Sequence, residues 1–252
     1  MKSFSSNNKN VAAVAISVAV LFALWAMAAW KVGSEHILPG PWKTLMATVR
    51  LLGDASFLAV VGNTLLRGVL GFAIAAVAGL GLGIAGGLSD GVNAFMRPWV
   101  VIMRSTPVVA FILLALIWFR NDSVPVFIGV LTMFPMIYMN IVDGIRSVEG
   151  KTVEMARFYA IPRARMVREV YLPAIAPFVV SGISSAVGIG WRAIVVGEVL
   201  SQPQYGIGTF MHSAQTFLQV DILIAWTVVA ILLGAVFEWL IRLAERLLIK
   251  WR

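Results

Sequence analysis

Cysteine is absent from the 252 residues and histidine occurs only twice. The first absence removes disulfides, thiolate metal sites and thiol redox chemistry, and His36 and His212 are too few and too far apart in the chain to suggest a metal site. Charge is scarce too. Asp, Glu, Lys and Arg make up 13% of the chain against 60% hydrophobic residues, with a mean hydropathy of +0.90. That leaves too little polar surface for a soluble domain of this length. No G-x-x-x-x-G-K-S/T phosphate loop occurs and no G-x-S-x-G surrounds Ser184, so neither nucleotide hydrolysis nor a hydrolase built on that serine has its usual carrier. Solenoid-type repeats, low-complexity tracts and polyionic tails are also missing.

What is present is a series of apolar runs of membrane length. Spans are predicted near residues 11–30, 58–88, 99–119, 124–143, 174–198 and 221–241, each close to the ~20 residues that a bilayer requires. The fold expected is all-α, a polytopic transmembrane helix bundle of about six spans. Residues 1–57 form an N-terminal span with an outside loop, and residues 58–252 a core carrying a polar loop at 149–173. Within the outside loop, LMATVRLL has the apolar spacing of a short interfacial helix.

The net charge of +8 does not point to nucleic acid, because its placement follows the membrane rule for orientation. With both termini cytoplasmic, Lys2, Lys9, Arg97, Arg146, Lys151, Arg157, Arg163, Arg165, Arg168, Arg242, Arg246, Lys250 and Arg252 lie inside. The stretch from Gln202 to Val220 holds no basic residue, as a translocated loop should not. Ala26-Met27-Ala28 imitates a signal-peptidase site, yet the preceding apolar run exceeds a signal core of about 7–15 residues, so the first span is expected to remain as an anchor.

Two spans have informative compositions. In the second, Gly71, Ala75, Gly79, Gly83 and Gly87 recur at every fourth position, a stripe that lets helix backbones approach closely. The fifth carries Ser181, Gly182, Ser184, Ser185, Gly188 and Gly190 before Trp191, Arg192 and Glu198. Lipid does not reward such polarity, which suits a face toward protein or water. Ser181, Ser185, Trp191, Arg192 and Glu198 are therefore candidates for a solute pathway, with an ion pair or interface anchor the bland alternative for Arg192 and Glu198. Arg67 and Arg104, inside or beside spans two and three, are read as satisfying backbone carbonyls or reaching an interface; Pro107 beside Arg104 bends its helix.

The polar segment Glu154 to Pro173, EMARFYAIPRARMVREVYLP, needs its own explanation. Thr152 is placed to cap a helix beginning at Val153, and Glu154 sits in the first turn where the helix dipole favours an acid. Ile161 precedes proline and marks a turn; Pro162 starts a second helix that runs to about Tyr171. The surface combines apolar and basic residues, and composition alone leads no further than anionic lipid headgroups.

Spacing leads further. Glu154-x-Ala156, three residues, Ala160, nine residues, then Val170-x-Leu172-Pro173 resembles the EAA signature of ABC-transporter permeases, which reads E-A-A, three residues, G, nine residues, I-x-L-P. Leu66-Arg67 with Gly71-Phe72, Arg104-Ser105-Thr106-Pro107, Val142-Asp143-Gly144-Ile145-Arg146, Trp191, Glu198 and Gly206-Ile207-Gly208 extend the resemblance to permeases of the nitrate, sulfonate and taurine type. Met155 and Ala160 depart from the signature, and Arg120 to Pro125 departs from the F-G-I-G common after the third span. The resemblance implies a type I importer permease fold in a bacterial inner membrane. It implies that Glu154, Met155, Ala156, Ala160, Ile161, Pro162 and Arg163 dock on a separate ATP-binding subunit, present in two copies and carrying ATP and magnesium. No cofactor is expected on this chain. A second copy of the permease and a periplasmic or lipid-anchored solute-binding protein complete the expected partners, and nucleic acid is not among them.

Two other functions compete. An ion-driven carrier favours acids near mid-membrane, whereas Asp143, Glu198, Asp221 and Glu238 lie toward span ends. An intramembrane hydrolase would have to use Ser184 with His212, which stands in an outside loop.

Overall fold

The computed structural model describes residues 3–148, 150, 154, 155, 158, 159 and 161–248, and no strand occurs among them. It resolves into two compact units, Met1–Phe57 with Phe210–Ala230, and Leu58–Thr209 with Ile231–Arg252.

In the first unit, helix α1 (Ser3–Val32) has a 20-residue apolar stretch, Ala13–Val32, none of which is buried within the chain. A helix apolar on all sides in this way has lipid as its natural solvent. Gly33, at φ +68°, ends it in the left-handed region open to glycine, and Trp25 Nε1 donates to the Pro39 carbonyl at 3.1 Å. Helix α2 (Pro41–Leu52) starts on proline, where a missing N–H goes unneeded, and buries Thr44 and Ala47. It is the short helix expected in the outside loop. Trp226 is wholly buried, stacked on Phe57 with ring centroids 5.8 Å apart and tilted against Phe210 at 5.6 Å.

The second unit is built around helix α6 (Val124–Arg146), which buries residues on several sides and packs along the fifth-span helix. Helix α3 (Phe57–Leu88) meets it through the glycine stripe: a Cβ added at Gly79 would stand 2.8 Å from Ile137 Cγ2, and one at Gly83 2.8 Å from Ile141 Cβ. The stripe is a packing device, and α3 and α6 lie closer than side chains on both would allow.

The third span departs from the expected single helix over 99–119. Helix α4 (Asp90–Ser105) and helix α5 (Val108–Trp118) meet at 101° across Thr106 and Pro107. Pro107 has no N–H to continue the ladder and excludes helical geometry from the residue before it, so Thr106 is extended at ψ 131°. Among the described residues five helices are long and apolar enough to cross a membrane, and the bent pair makes a sixth crossing if counted as one span. Short helix α7 (Arg163–Met166) leads through a π-helical turn, Val167–Tyr171, into the fifth-span helix α8 (Leu172–Ser201). The expected outside loop after it contains a helix, α9 (Ile207–Thr216), before α10 (Val220–Leu248).

Candidate functional site

The polar loop keeps its sharp turn and loses one of its predicted boundaries. Glu154 and Met155 are helical and exposed, and Tyr159 N donates to the Met155 carbonyl at 3.1 Å in an i to i−4 bond. Ile161 and Pro162 leave the helix, and Arg163 opens α7. Ala156 and Ala160, together with the cap predicted at Thr152, lie outside the described residues. The second helix does not stop near Tyr171. It continues into the membrane span, because Pro173 cannot give an N–H to the Glu169 carbonyl and the ladder shifts to π geometry over Val167–Tyr171 without breaking. Arg165 Nε donates to Glu169 Oε1 at 2.9 Å one turn on.

Sequence reasoning passed over two residues of this loop. Phe158 and Tyr159 are 85% and 70% exposed, their rings edge to face at 5.6 Å. Aromatic residues inside a basic segment are the signal, since neither lipid orientation nor charge requires them there.

At the other end of α8, Glu198 is fully buried. Arg67 Nη1 donates to its Oε1 at 2.7 Å, Thr64 Oγ1 and Gly208 N donate to its Oε2 at 3.0 Å each. Arg67 also donates to the Tyr205 carbonyl at 2.6 Å and to Asp122 Oδ1 at 2.7 Å, and Ile207 N donates to Thr64 Oγ1 at 2.9 Å. The cluster ties α3, the segment after α5 and the turn 202–208 to one carboxylate. Gly206 belongs to it sterically, since a Cβ there would sit 2.7 Å from Glu198 Cδ. The alternative of an ion pair between Arg192 and Glu198 is not what forms; the partner is Arg67, which reaches a carboxylate as well as a backbone carbonyl. A cleft of about 700 Å³ opens beside Arg67, with Asn63, Asp122, Gln204 and Tyr205 in its wall.

The remaining fifth-span candidates separate by helix face. Gly182 and Gly190 are buried against α6, where Asn140 and Met133 leave no room for a Cβ. Ser181, Ser185, Gly188 and Arg192 are exposed and share the opposite stripe, spaced by three or four residues. Trp191 is buried, with Phe237 at 5.4 Å between ring centroids, beside an apolar cavity of about 170 Å³ that also touches Phe72 and Met133. The structure therefore brings Ser181, Ser185 and Arg192 together and sets Trp191 and Glu198 apart from them.

Comparison with known proteins agrees with this architecture. The family described as binding-protein-dependent transport system inner membrane component matches residues 78–250. A putative aliphatic sulfonates transport permease protein of Bacillus subtilis is 30% identical over 93% of this chain and 85% of its own length. A taurine transport system permease protein of Escherichia coli is 27% identical over 93% and 88%, and a bicarbonate transport system permease protein of Synechococcus elongatus 30% identical over 71% and 66%. The chain belongs to the family of binding-protein-dependent transport system inner membrane components.

Proposed function

We propose that two copies of this chain form the pathway of an importer for a small anionic solute, with a sulfonate as the first candidate. Each copy would be driven through the loop around Glu154 by a subunit that binds ATP and magnesium. Membership of the family makes the chain the membrane permease subunit of an ABC importer in the inner membrane, working with an ATPase and a solute-binding protein and not itself an enzyme. The observation that carries the substrate class is the likeness over nearly the whole chain to permeases named for aliphatic sulfonates and taurine, joined by one named for bicarbonate. The docking role rests on the exposed Glu154, Met155, Phe158 and Tyr159 beside the turn at Ile161 and Pro162. The exposed stripe of Ser181, Ser185 and Arg192 supports a polar pathway between two copies.

The test is uptake of radiolabelled ethanesulfonate into proteoliposomes holding the permease with its ATPase. Uptake is expected only with ATP on the ATPase side and binding protein on the other, and Glu154→Lys should abolish solute-stimulated ATP turnover while membrane insertion persists. Uptake driven by an ion gradient without ATP would replace this reading with that of a secondary carrier; full coupling in Glu154→Lys would remove the docking role.

A further inference from the structure

We propose that Arg104, at the break between α4 and α5, is the residue that holds the anionic head of the solute midway through the membrane. A cavity of about 280 Å³ lies at this break, with Arg104, Thr106, Phe111, Thr132, Met136 and Ile189 in its wall. Its depth follows from the helices that line it. Pro135 and Met136 stand at the centre of α6, and Ile189 close to the centre of α8. A guanidinium at that depth is expensive in lipid and calls for a partner or for water.

Among the described residues Arg104 has no carboxylate partner. It donates from Nη1 to the Met139 sulfur at 2.7 Å, and a neutral thioether is a weak acceptor that offsets no charge. Asp143, one turn further along α6, does not pair with it. The hydroxyls of Thr106 and Thr132 donate to Ile102 and Ile128 in their own helices at 2.8 and 2.7 Å, so the guanidinium is the cavity's charged donor. Its planar fork suits two oxygens of a sulfonate or carboxylate at once. The outer cleft differs in sign. There Arg67 faces Glu198 and Asp122, one cation against two acids, which disfavours an anion.

The break supplies the room. Because Pro107 turns the chain by 101°, α5 does not continue the line of α4, and Arg104 stands three residues before that turn. This inference rests on the anion-importer reading above, and its test has one arm that needs no solute.

The chain contains no cysteine, so a Thr132→Cys or Thr106→Cys variant carries a single thiol in the cavity wall. In the reconstituted complex, that thiol should react faster with the anionic 2-sulfonatoethyl methanethiosulfonate than with its trimethylammonium counterpart, after normalising to a free thiol. Adding Arg104→Gln should lower this ratio about tenfold, the effect of removing one nearby positive charge in a partly hydrated site. An unchanged ratio, or no reaction of either thiol with either reagent, overturns the proposal. In the second arm, Arg104→Gln should reduce ethanesulfonate uptake more than tenfold, Arg104→Lys should keep part of it, and ATP turnover stimulated by the binding protein should persist. Unaltered uptake in Arg104→Gln overturns the proposal as well. If the wild-type complex imports no ethanesulfonate, the substrate reading fails, while the thiol ratio still decides whether Arg104 sets an anion-favouring site.

Discussion

At the scale of single residues, the buried Glu198 is the position where chemistry and sequence agree most. An acid near a span end is costly enough to attract suspicion, and Glu198 is buried in an ion pair with Arg67. Its partner was not legible, because Arg67 is 131 residues away and the pairing depends on how two helices are rotated against each other. Arg192, six residues before Glu198, offered a nearer cation, but the helix sets the two on different faces, one exposed and one buried. Removing one member of such a pair strands the other. Glu198→Ala leaves Arg67, 6% exposed, with the exposed Asp122 as its acid partner and the Tyr205 carbonyl as its other acceptor, and deprives Gly208 N of its acceptor. A loss of about 3–5 kcal/mol is expected, read as a lowered thermal midpoint of the detergent-solubilised permease. Glu198→Gln, which keeps an acceptor oxygen, should lose less, and Glu198→Ala with Arg67→Met should recover part of the loss because no buried charge is then stranded. A Glu198→Ala variant as stable as the wild type would show that the cluster does not hold the outer turn.

At the scale of elements, the spans were readable because lipid demands long apolar helices, and the glycine stripe was readable as packing because its period of four fixes one helix face. The size of the bend at Pro107 was not, since proline dictates that a helix is interrupted and neighbouring helices decide where the chain goes next. The run from Gln202 to Val220 has the charge pattern of a translocated loop, yet Ile207–Thr216 is helical, anchored by the Glu198 cluster at its first residues. The stripe gives a direct test of helix approach. Gly83→Leu forces a side chain where a Cβ alone meets Ile141 at 2.8 Å, whereas Gly81 has nothing within 4 Å of the corresponding point. Gly83→Leu should destabilise the bundle by about 1–3 kcal/mol, and Gly81→Ala should leave the thermal midpoint close to that of the wild type. Equal stability of both variants would mean that α3 does not lie against α6 as described.

At the scale of the whole molecule, composition dictated a membrane protein and charge placement its orientation, but neither names the faces that meet other chains. Ser181, Ser185 and Arg192 became a stripe only when α6 was seen to take the glycine face of the same helix. If that stripe faces a second copy, Ser185→Cys should form a disulfide-linked permease dimer under mild oxidation in membranes, and its absence while the dimer persists in solution would move the interface elsewhere. The loop beyond the membrane makes the opposite demand, since its exposed rings contribute little to the fold that carries them. Phe158 and Tyr159 stand in the open beside Glu154 and Met155, an apolar pair on a polar segment, and such patches mark contact with another protein. Aromatic anchors at interfaces commonly account for about 2 kcal/mol or more each, equivalent to roughly thirtyfold in affinity. Phe158→Ser together with Tyr159→Ser should therefore release the ATPase during size-exclusion chromatography, while the permease alone keeps its thermal midpoint, because surface substitutions usually shift stability by no more than about 0.5 kcal/mol. An intact complex would show that the rings do not dock, and a permease destabilised to the same degree would show that they belong to its own fold.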